Sequence, residues 1–222
     1  MSDLQIELNP DVVSAVKIAH LQFSKLKCQA KLEMLWQDIE TLSVKYREIY
    51  HSPSDALTEL RPARNLYRAV GIEPTRIRPS SEALLRRVIK SVPLYQINSI
   101  VDVSNYCSLA FLLPIGLYDL DKVKGKIQLR LGREGEEYEG IRKDMIHVAN
   151  RLTVADDTGP FGNPSADSLR TSIDLNSHNI LLIIFAPHNY PTDKLQEHMK
   201  FAEKVMLKYH SSGELLKSGL LG

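Results

Sequence analysis

The chain has 222 residues, 43% of them hydrophobic and 25% charged, so it is long enough to bury one good core. Its formal net charge of +1 gives no global attraction for nucleic acid, so RNA binding would need a local basic patch. Neither Cys28 nor Cys107 has metal-ligand spacing, which argues against a disulfide framework or a zinc site and favours a reducing cytoplasm. We expect neither secretion nor a membrane span, because a signal-peptide pattern and an apolar run of about 18 residues are both missing.

The first part of the chain predicts helices. Apolar residues recur near the helical period over residues 11–50, and residues 55–72 and 80–92 predict two further helical segments. We therefore expect residues 1–74 to form a helical extension that packs on the core. A core-facing helix is the simpler interpretation of 11–50, and a helix that forms a homo-oligomer is the alternative.

Short strands and a last helix follow. KIQLRLG alternates apolar and polar residues, which predicts a half-buried strand, and NILLIIFAP predicts a strand buried on both faces at the sheet centre. Between them, residues 156–174 are rich in Gly, Pro, Asp and Ser, which predicts a functional or mobile loop. Residues 192–210 predict a C-terminal helix, and 213–222 a flexible tail. The order indicates an α+β domain over 75–212, with a mixed β-sheet flanked by helices.

The most informative stretch is PLYQINSIVDVSNYCSLAFLLPIGLYD, residues 93–119. Polar residues interrupt a nearly continuous apolar run there, at Asn98, Asp102, Ser104 and Asn105. A buried polar group without a partner costs about 1 to 3 kcal/mol. These side chains should therefore either bond loop backbone, as turn residues commonly do, or face a cleft.

Three motifs carry a family resemblance. INSIVDVSNY, LLPIGLYDLDKVKG and LTVADDTGPFG together resemble the B3/B4 editing domain of the beta subunit of bacterial phenylalanyl-tRNA synthetase, over roughly residues 75–185. The resemblance implies a B3/B4-like fold in a free-standing relative, with tRNA or aminoacyl-tRNA as partner and no cofactor or metal. It also implies a pocket that hydrolyses a mischarged tyrosyl-tRNA ester, largely by placing a water and the substrate's own hydroxyl.

The resemblance carries over residue by residue, with two departures. The matching positions are Asn98, Asp102 and Asn105 in the first motif, Pro114 and Asp119 in the second, and Asp156 and Asp157 in the third. The family's histidine falls on Gly116. Its glycine-rich loop is replaced by FGNPSADSLRT, where Asp167 is the nearest acid. A tyrosine-specific pocket is therefore not implied.

The polar loop supplies the group types of an ester-hydrolysing pocket. An Asp can position a water, Ser and Thr can bond an ester carbonyl, and Arg can hold a phosphate. The catalytic candidates are Asp167, Asp157 and Ser168. The substrate-binding candidates are Asn98, Asp102, Asn105, Pro114, Gly116, Thr158, Gly159, Arg170 and Thr171. The alternative is a turn-rich loop whose side chains bond their own backbone.

One basic cluster lies between residues 61 and 90. Its candidates for contact with tRNA phosphates are Arg61, Arg64, Arg68, Arg86, Arg87 and Lys90, and Tyr67 lies among them as a possible stacking platform. The alternative is a solvated helix face.

Three functions remain open: an enzyme that deacylates mischarged tRNA in trans, a non-catalytic module that binds tRNA or an amino acid, and a small-molecule enzyme unrelated to RNA. The first is the leading hypothesis. In it, Asp167 or Asp157 positions the water, and Arg170 with the basic cluster meets the 3′ phosphates. Asn98, Asn105 and Ser168 hold the amino acid.

Overall fold

Two β-sheets form the framework of the protein in a computed structural model that describes residues 5–141 and 144–222. Within those residues, the helices are α1 Glu33–Ile49, α2 Arg61–Ala69, α3 Ser80–Ile89, α4 Ser99–Phe111 and α5 Thr192–Tyr209, with a short 3-10 turn at Leu120–Lys122. The strands are β1 Ile6–Leu8, β2 Val16–Ser24, β3 Ile115–Asp119, β4 Ile127–Leu131, β5 Glu137–Glu139, β6 Met145–His147, β7 Leu152–Asp156, β8 Gly159–Asn163, β9 Ala166–Asp167, β10 Ile180–Pro187 and β11 Glu214–Leu221. The predicted α+β class, with a mixed sheet and flanking helices, is confirmed.

The larger sheet is mixed and the smaller sheet is antiparallel. The five-stranded sheet has the order β1-β4-β7-β8-β9, with β1 and β4 parallel and the other pairs antiparallel. The four-stranded sheet has the order β11-β2-β10-β3, and β5 pairs with β6 in a separate hairpin. β9 lies close to β3, so the two sheets meet where the polar loop was predicted.

Strand β10 lies inside its sheet, as its apolar run predicts. All eight of its residues are buried. Leu182 and Ile184 face the core shared with α1, α4 and α5, whereas Leu181 and Ile183 face the core shared with the other sheet. Because alternate side chains point to opposite faces of a strand, one continuous apolar run can serve both cores. Full burial of each such side chain contributes roughly 1.5 to 3 kcal/mol.

The predicted helix over residues 11–50 is wrong in its first half. Val16–Ser24 is strand β2, paired antiparallel with β10 from Val16 to Phe23, and only Glu33–Ile49 is helical. Pairing with β10 and burial of alternate apolar residues on both faces favour the strand over the local helical pattern. The first 74 residues are therefore not a purely helical extension, since they supply strand β2 of the four-stranded sheet. The first four of them lie outside the described residues.

The predicted flexible tail at 213–222 is also wrong. Its residues form β11, which pairs antiparallel with β2 from Glu214 to Leu221. The edge of β2 offers backbone donors and acceptors that the tail satisfies, which sequence polarity alone does not reveal. Gly219 allows β11 to lie close to the His20 side chain, since a Cβ at position 219 would lie 2.9 Å from His20 Nε2.

The polar residues of the stretch 93–119 lie at the start and in the first two turns of helix α4. Asn98 is its N-cap and accepts the amide of Val101 at 3.0 Å. Asp102 Oδ1 accepts the amide of Ile97 at 3.0 Å, and Oδ2 accepts Trp36 Nε1 at 3.0 Å. Burial raises the pKa of Asp102, an effect that these donors oppose. Asn98 and Asp102 thus satisfy the backbone-bonding interpretation of the motif.

Three other predicted elements agree with the structure, and one predicted loop does not. Helices α3 and α5 and strand β4 lie where their patterns predict them. The segment 156–174, predicted as an irregular loop, instead contains strands β8 and β9. A role for α1 in a homo-oligomer stays a prediction; this helix exposes Met34 and Ile49. None of the helices in the described part of the chain has the length and apolarity needed to span a bilayer.

Candidate functional site

The first cavity, of about 470 Å³, lies between helices α3 and α4 and the β8–β9 turn. Asn105 and Asp167 line it, and so do the hydroxyl-bearing residues Ser104 and Ser165. Apolar wall is supplied by Ala83, Leu84 and Ile115. Two predicted site residues from distant parts of the sequence are therefore brought together.

The turn that carries Asp167 is held by hydrogen bonds on both sides. Asn163 Oδ1 accepts the amides of Ser165 at 2.7 Å and Ala166 at 3.0 Å. The Tyr67 hydroxyl donates to the carbonyl of Pro164 at 2.8 Å, and the Tyr138 hydroxyl donates to the carbonyl of Ala166 at 2.6 Å. A segment held in this way keeps the neighbouring carboxylate in one place, as a site that orients a water requires.

Asp167 sits beside buried phenols. Its Oδ2 accepts the amide of Leu117 at 3.3 Å. Burial and the charge of Asp167 together raise the pKa of Tyr118 and of Tyr138. Because the phenols stay protonated at neutral pH, they add no negative charge near the carboxylate.

Gly116, a predicted substrate-binding residue, makes room for Tyr118. A Cβ at Gly116 would overlap the Tyr118 hydroxyl oxygen, and a Cβ at Gly162 would overlap the same atom. The family resemblance places a histidine at position 116, and that side chain would collide with Tyr118 here. Gly116 does not line the first cavity described above.

The mouth of the first cavity is basic and aromatic. Arg78, Arg87 and Tyr95 lie there. The Arg87 guanidinium lies 4.2 Å from the centroid of the Tyr95 ring, and its Nε donates to the carbonyl of Pro93 at 3.1 Å. Tyr95 is 62% exposed, whereas Tyr67, the predicted stacking platform, is fully buried. Tyr95 was not among the predicted site residues, although an aromatic residue just after the basic cluster could have indicated it.

The basic cluster is partly neutralised by one buried carboxylate. Glu82, fully buried, accepts Arg64 Nε and Nη2 at 2.8 and 2.7 Å and Arg86 Nε at 2.9 Å, with Arg78 Nε at 3.6 Å. Burial acts to raise the pKa of Glu82, but the bonds from Arg64 and Arg86 hold it below its ordinary value. Of the predicted phosphate contacts, Arg61, Arg68 and Lys90 are exposed, whereas Arg64 and Arg86 are committed to this ion-pair cluster.

The second cavity, of about 370 Å³, collects another set of predicted residues: Thr158, Gly159, Ser168 and Arg170. Arg170 binds the buried Asp156 with two bonds of 2.9 and 3.0 Å. Burial acts to raise the pKa of Asp156, yet Arg170 and the amide of Lys124 hold it below its ordinary value. Arg170 therefore already has a carboxylate partner. Glu137 and Glu139 add negative charge to this cavity.

The other predicted residues line neither cavity. Asn98 and Asp102 cap α4, the carbonyl of Pro114 accepts the amide of Phe185 at 3.0 Å, and Thr171 bonds Ser168 at 3.0 Å between their hydroxyls. Asp157 is exposed to solvent. Across the described ranges 5–141 and 144–222, no cluster of three or more His, Cys, Asp or Glu side chains could hold a metal ion.

Comparison with known proteins gives the family. The B3/4 domain model matches residues 62–209. The chain is 33% identical to the phenylalanine-tRNA ligase beta subunit of Streptococcus mutans over 120 residues, which cover 52% of this chain and 15% of that protein. It is 29% identical to the corresponding subunit of Streptococcus thermophilus over 154 residues, which cover 62% and 19%.

A solved structure gives a looser match. It is an N-terminal fragment of the phenylalanyl-tRNA synthetase beta subunit from Pyrococcus horikoshii, with a TM-score of 0.47 and 12% identity over 96% of this chain and 50% of that one. The matched region spans less than a fifth of the length of the two Streptococcus relatives. Because the family model covers more than half of the sequence, the family resemblance is confirmed, and the chain belongs to the B3/4 domain family.

Proposed function

We propose that the protein hydrolyses the ester bond of mischarged aminoacyl-tRNA in trans, at the first cavity. One observation carries the proposal: a fixed carboxylate, Asp167, shares a cavity with Asn105 beneath a basic and aromatic mouth. The family membership and the relatives' names, which are those of tRNA ligase subunits, support tRNA as the partner.

The mouth fits the 3′ end of a tRNA. The exposed face of Tyr95, with Arg87 against it, suits stacking of the terminal base, and Arg78 is placed to meet a backbone phosphate. The aminoacyl group then enters the cavity, where Leu84 and Ile115 offer apolar contact. Asn105 can bond the ester carbonyl through its amide.

Asp167 orients the water. Its carboxylate accepts a hydrogen bond from the water, whose oxygen attacks the ester carbonyl carbon. A new C–O bond forms, the bond to the ribose oxygen breaks, and the proton lost by the water passes to that ribose oxygen. The products are the free amino acid and tRNA with a restored hydroxyl. Positioning and general-base assistance of this kind contribute roughly 10²- to 10⁴-fold in rate.

The test is deacylation of a panel of cognate and mischarged aminoacyl-tRNAs by the purified chain. We expect selective hydrolysis of a mischarged species, slowed at least about 100-fold by Asp167→Asn. Asp157→Asn is the matched control, since it makes the same chemical change on an exposed residue outside the cavity. Equal rates for the two variants would contradict the assignment of Asp167.

A non-catalytic binding module is the second candidate. The observation that favours it is Gly116, which stands where the resembling family has a histidine and whose surroundings are occupied by Tyr118. Salt-sensitive tRNA binding without turnover of any species in the panel would select this candidate over the enzyme.

A further inference from the structure

A third cavity, here called the slot, has a volume of about 260 Å³ and lies between the start of α2 and the start of α5. Its walls are largely flat and apolar, because Pro62, Pro187, Pro191 and Tyr190 contribute to them. Tyr190 is held in place by a hydrogen bond of 2.9 Å between its hydroxyl and His198 Nε2. The slot thus offers ring surfaces beside the polar side chains of Thr58, Asn65 and Asn189.

Cations stand at the slot without carboxylate partners. Arg61 and Lys194 line it and are exposed, and among the described residues neither forms an ion pair. Lys17 lies alongside and donates to the carbonyl of Tyr190 at 3.1 Å and to Thr192 Oγ1 at 2.9 Å, which are neutral acceptors. Asp193 is near in sequence but does not line the slot. The slot therefore combines ring surfaces with uncompensated positive charge.

A row of arginines connects the slot with the first cavity. Arg61 lies one turn before Arg64 on α2, so the two side chains share a helix face. Arg64 is bound to Glu82, and Glu82 also contacts Arg78, which lines the mouth of the first cavity. The slot and the first cavity are therefore joined by a chain of side-chain contacts through Arg64, Glu82 and Arg78.

We propose that the slot takes one unstacked nucleotide of the RNA whose 3′ end enters the first cavity. This inference rests on the proposed function for its choice of RNA. The base lies against the rings of Pro62 and Pro191, which are not fully buried, while the phosphate binds Arg61 and Lys194. Only a nucleotide outside a double helix exposes its base in this way, so the slot selects a single-stranded segment. A free phosphate or a phosphopeptide would use the cations but leave the ring surfaces unused.

The experiment measures binding of a fluorescently labelled, uncharged tRNA transcript at several salt concentrations. Arg61→Ala with Lys194→Ala should weaken binding at least about tenfold and lower the salt slope by roughly 0.7 for each phosphate that these cations neutralise. The matched control is Lys45→Ala with Lys200→Ala, which removes the same charge from exposed positions elsewhere. Asn65→Trp fills the slot from an exposed helix position and leaves both cations in place, and it should also weaken binding.

Binding that falls equally in the slot pair and the control pair would overturn the inference. So would unchanged binding in Asn65→Trp, or displacement by inorganic phosphate or a phosphopeptide as effective as displacement by AMP. The proposed function is tested by a separate measurement, deacylation, because Asp167→Asn should lose deacylation and retain tRNA binding. tRNA binding that depends on the slot, without deacylation, would support the slot and contradict the proposed hydrolase function. Deacylation with an unchanged KM in the slot variants would support the hydrolase function and contradict the slot.

Discussion

The first and second cavities are separated by one short strand, and they differ in what surrounds their carboxylates. In the first cavity Asp167 is held by backbone and faces Asn105 and a basic mouth. Beside the second, Arg170 lines the cavity and binds the buried carboxylate of Asp156 with two bonds. Asp156 and Arg170, close together in sequence, thus form a structural ion pair, whereas the carboxylate of Asp167 lines a cavity. Closeness in sequence alone does not separate the two roles.

The largest effect should come from breaking the ion pair of the second cavity. Asp156 also accepts the amides of Lys124 at 2.8 Å and Thr158 at 2.9 Å. Asp156→Ala therefore leaves these amides without their acceptor and leaves Arg170 only its longer bonds, to the carbonyls of Lys122 at 3.3 Å and Gly159 at 3.4 Å. We expect a loss of about 3 to 5 kcal/mol in the free energy of unfolding, measured in urea. Asp157→Ala, on the exposed neighbour, should change it by less than about 0.5 kcal/mol. A small change for Asp156→Ala would contradict a structural role.

Next in size is the packing behind the first cavity. Gly116→Ala forces a methyl group against the Tyr118 hydroxyl, so we expect a loss of roughly 1 to 3 kcal/mol in the same urea experiment. Tyr118→Phe in the Gly116→Ala background should recover part of that loss, because it removes the nearest atom. No recovery in the double variant would show that the hydroxyl oxygen is not the limiting contact, since Tyr118 Cζ lies only 2.8 Å from the added Cβ.

A smaller effect is expected at the mouth. Tyr95→Leu removes a stacking surface at the mouth of the first cavity, so KM for the aminoacyl-tRNA should rise about tenfold while kcat changes little. Tyr95→Phe, which keeps the ring, serves as the control. A fall in kcat with unchanged KM would place Tyr95 in the chemistry and not in binding.

The smallest expected effect is on the stability of the protein at acidic pH. The pKa of Asp156 lies below its ordinary value of 3.8 in the folded protein, so its contribution to stability is present above that value. The contribution is lost as pH falls through the folded-state pKa, because below that pKa the carboxyl group is protonated in the folded state as well as in the unfolded state. Unfolding at pH values from 6 down to about 2 should therefore show a steeper decline for the wild type than for Asp156→Asn. Equal slopes would contradict the ion-pair account.

The fold was predictable from the sequence where local pattern and long-range packing agree. The run in β10 and the amphipathic patterns of α3 and α5 are buried as predicted because each element presents apolar residues to the core. Strand β2 was missed because its spacing also fits a helix, and β11 was missed because a polar, glycine-containing segment becomes a strand only when β2 lies beside it.

The candidate site was predictable as a region but not as a geometry. The motifs indicated Asn105 and Asp167, and the structure brings these together. They could not separate Asp167 from Ser168, because neighbouring strand residues face opposite sides and the side depends on register. The pairing of Arg170 with Asp156 and the place of Tyr95 at the mouth depend on contacts across the chain, which a single sequence does not contain.

The most direct test compares these two neighbours, since Asp167 lines the first cavity and Ser168 the second. We would measure single-turnover deacylation of the mischarged tRNA by Asp167→Asn and Ser168→Ala, after confirming by urea unfolding that both are folded. The account predicts a loss of at least about 100-fold for Asp167→Asn and a rate within about threefold of wild type for Ser168→Ala. An equal loss in both, or a larger one in Ser168→Ala, would contradict the assignment of the chemistry to the first cavity.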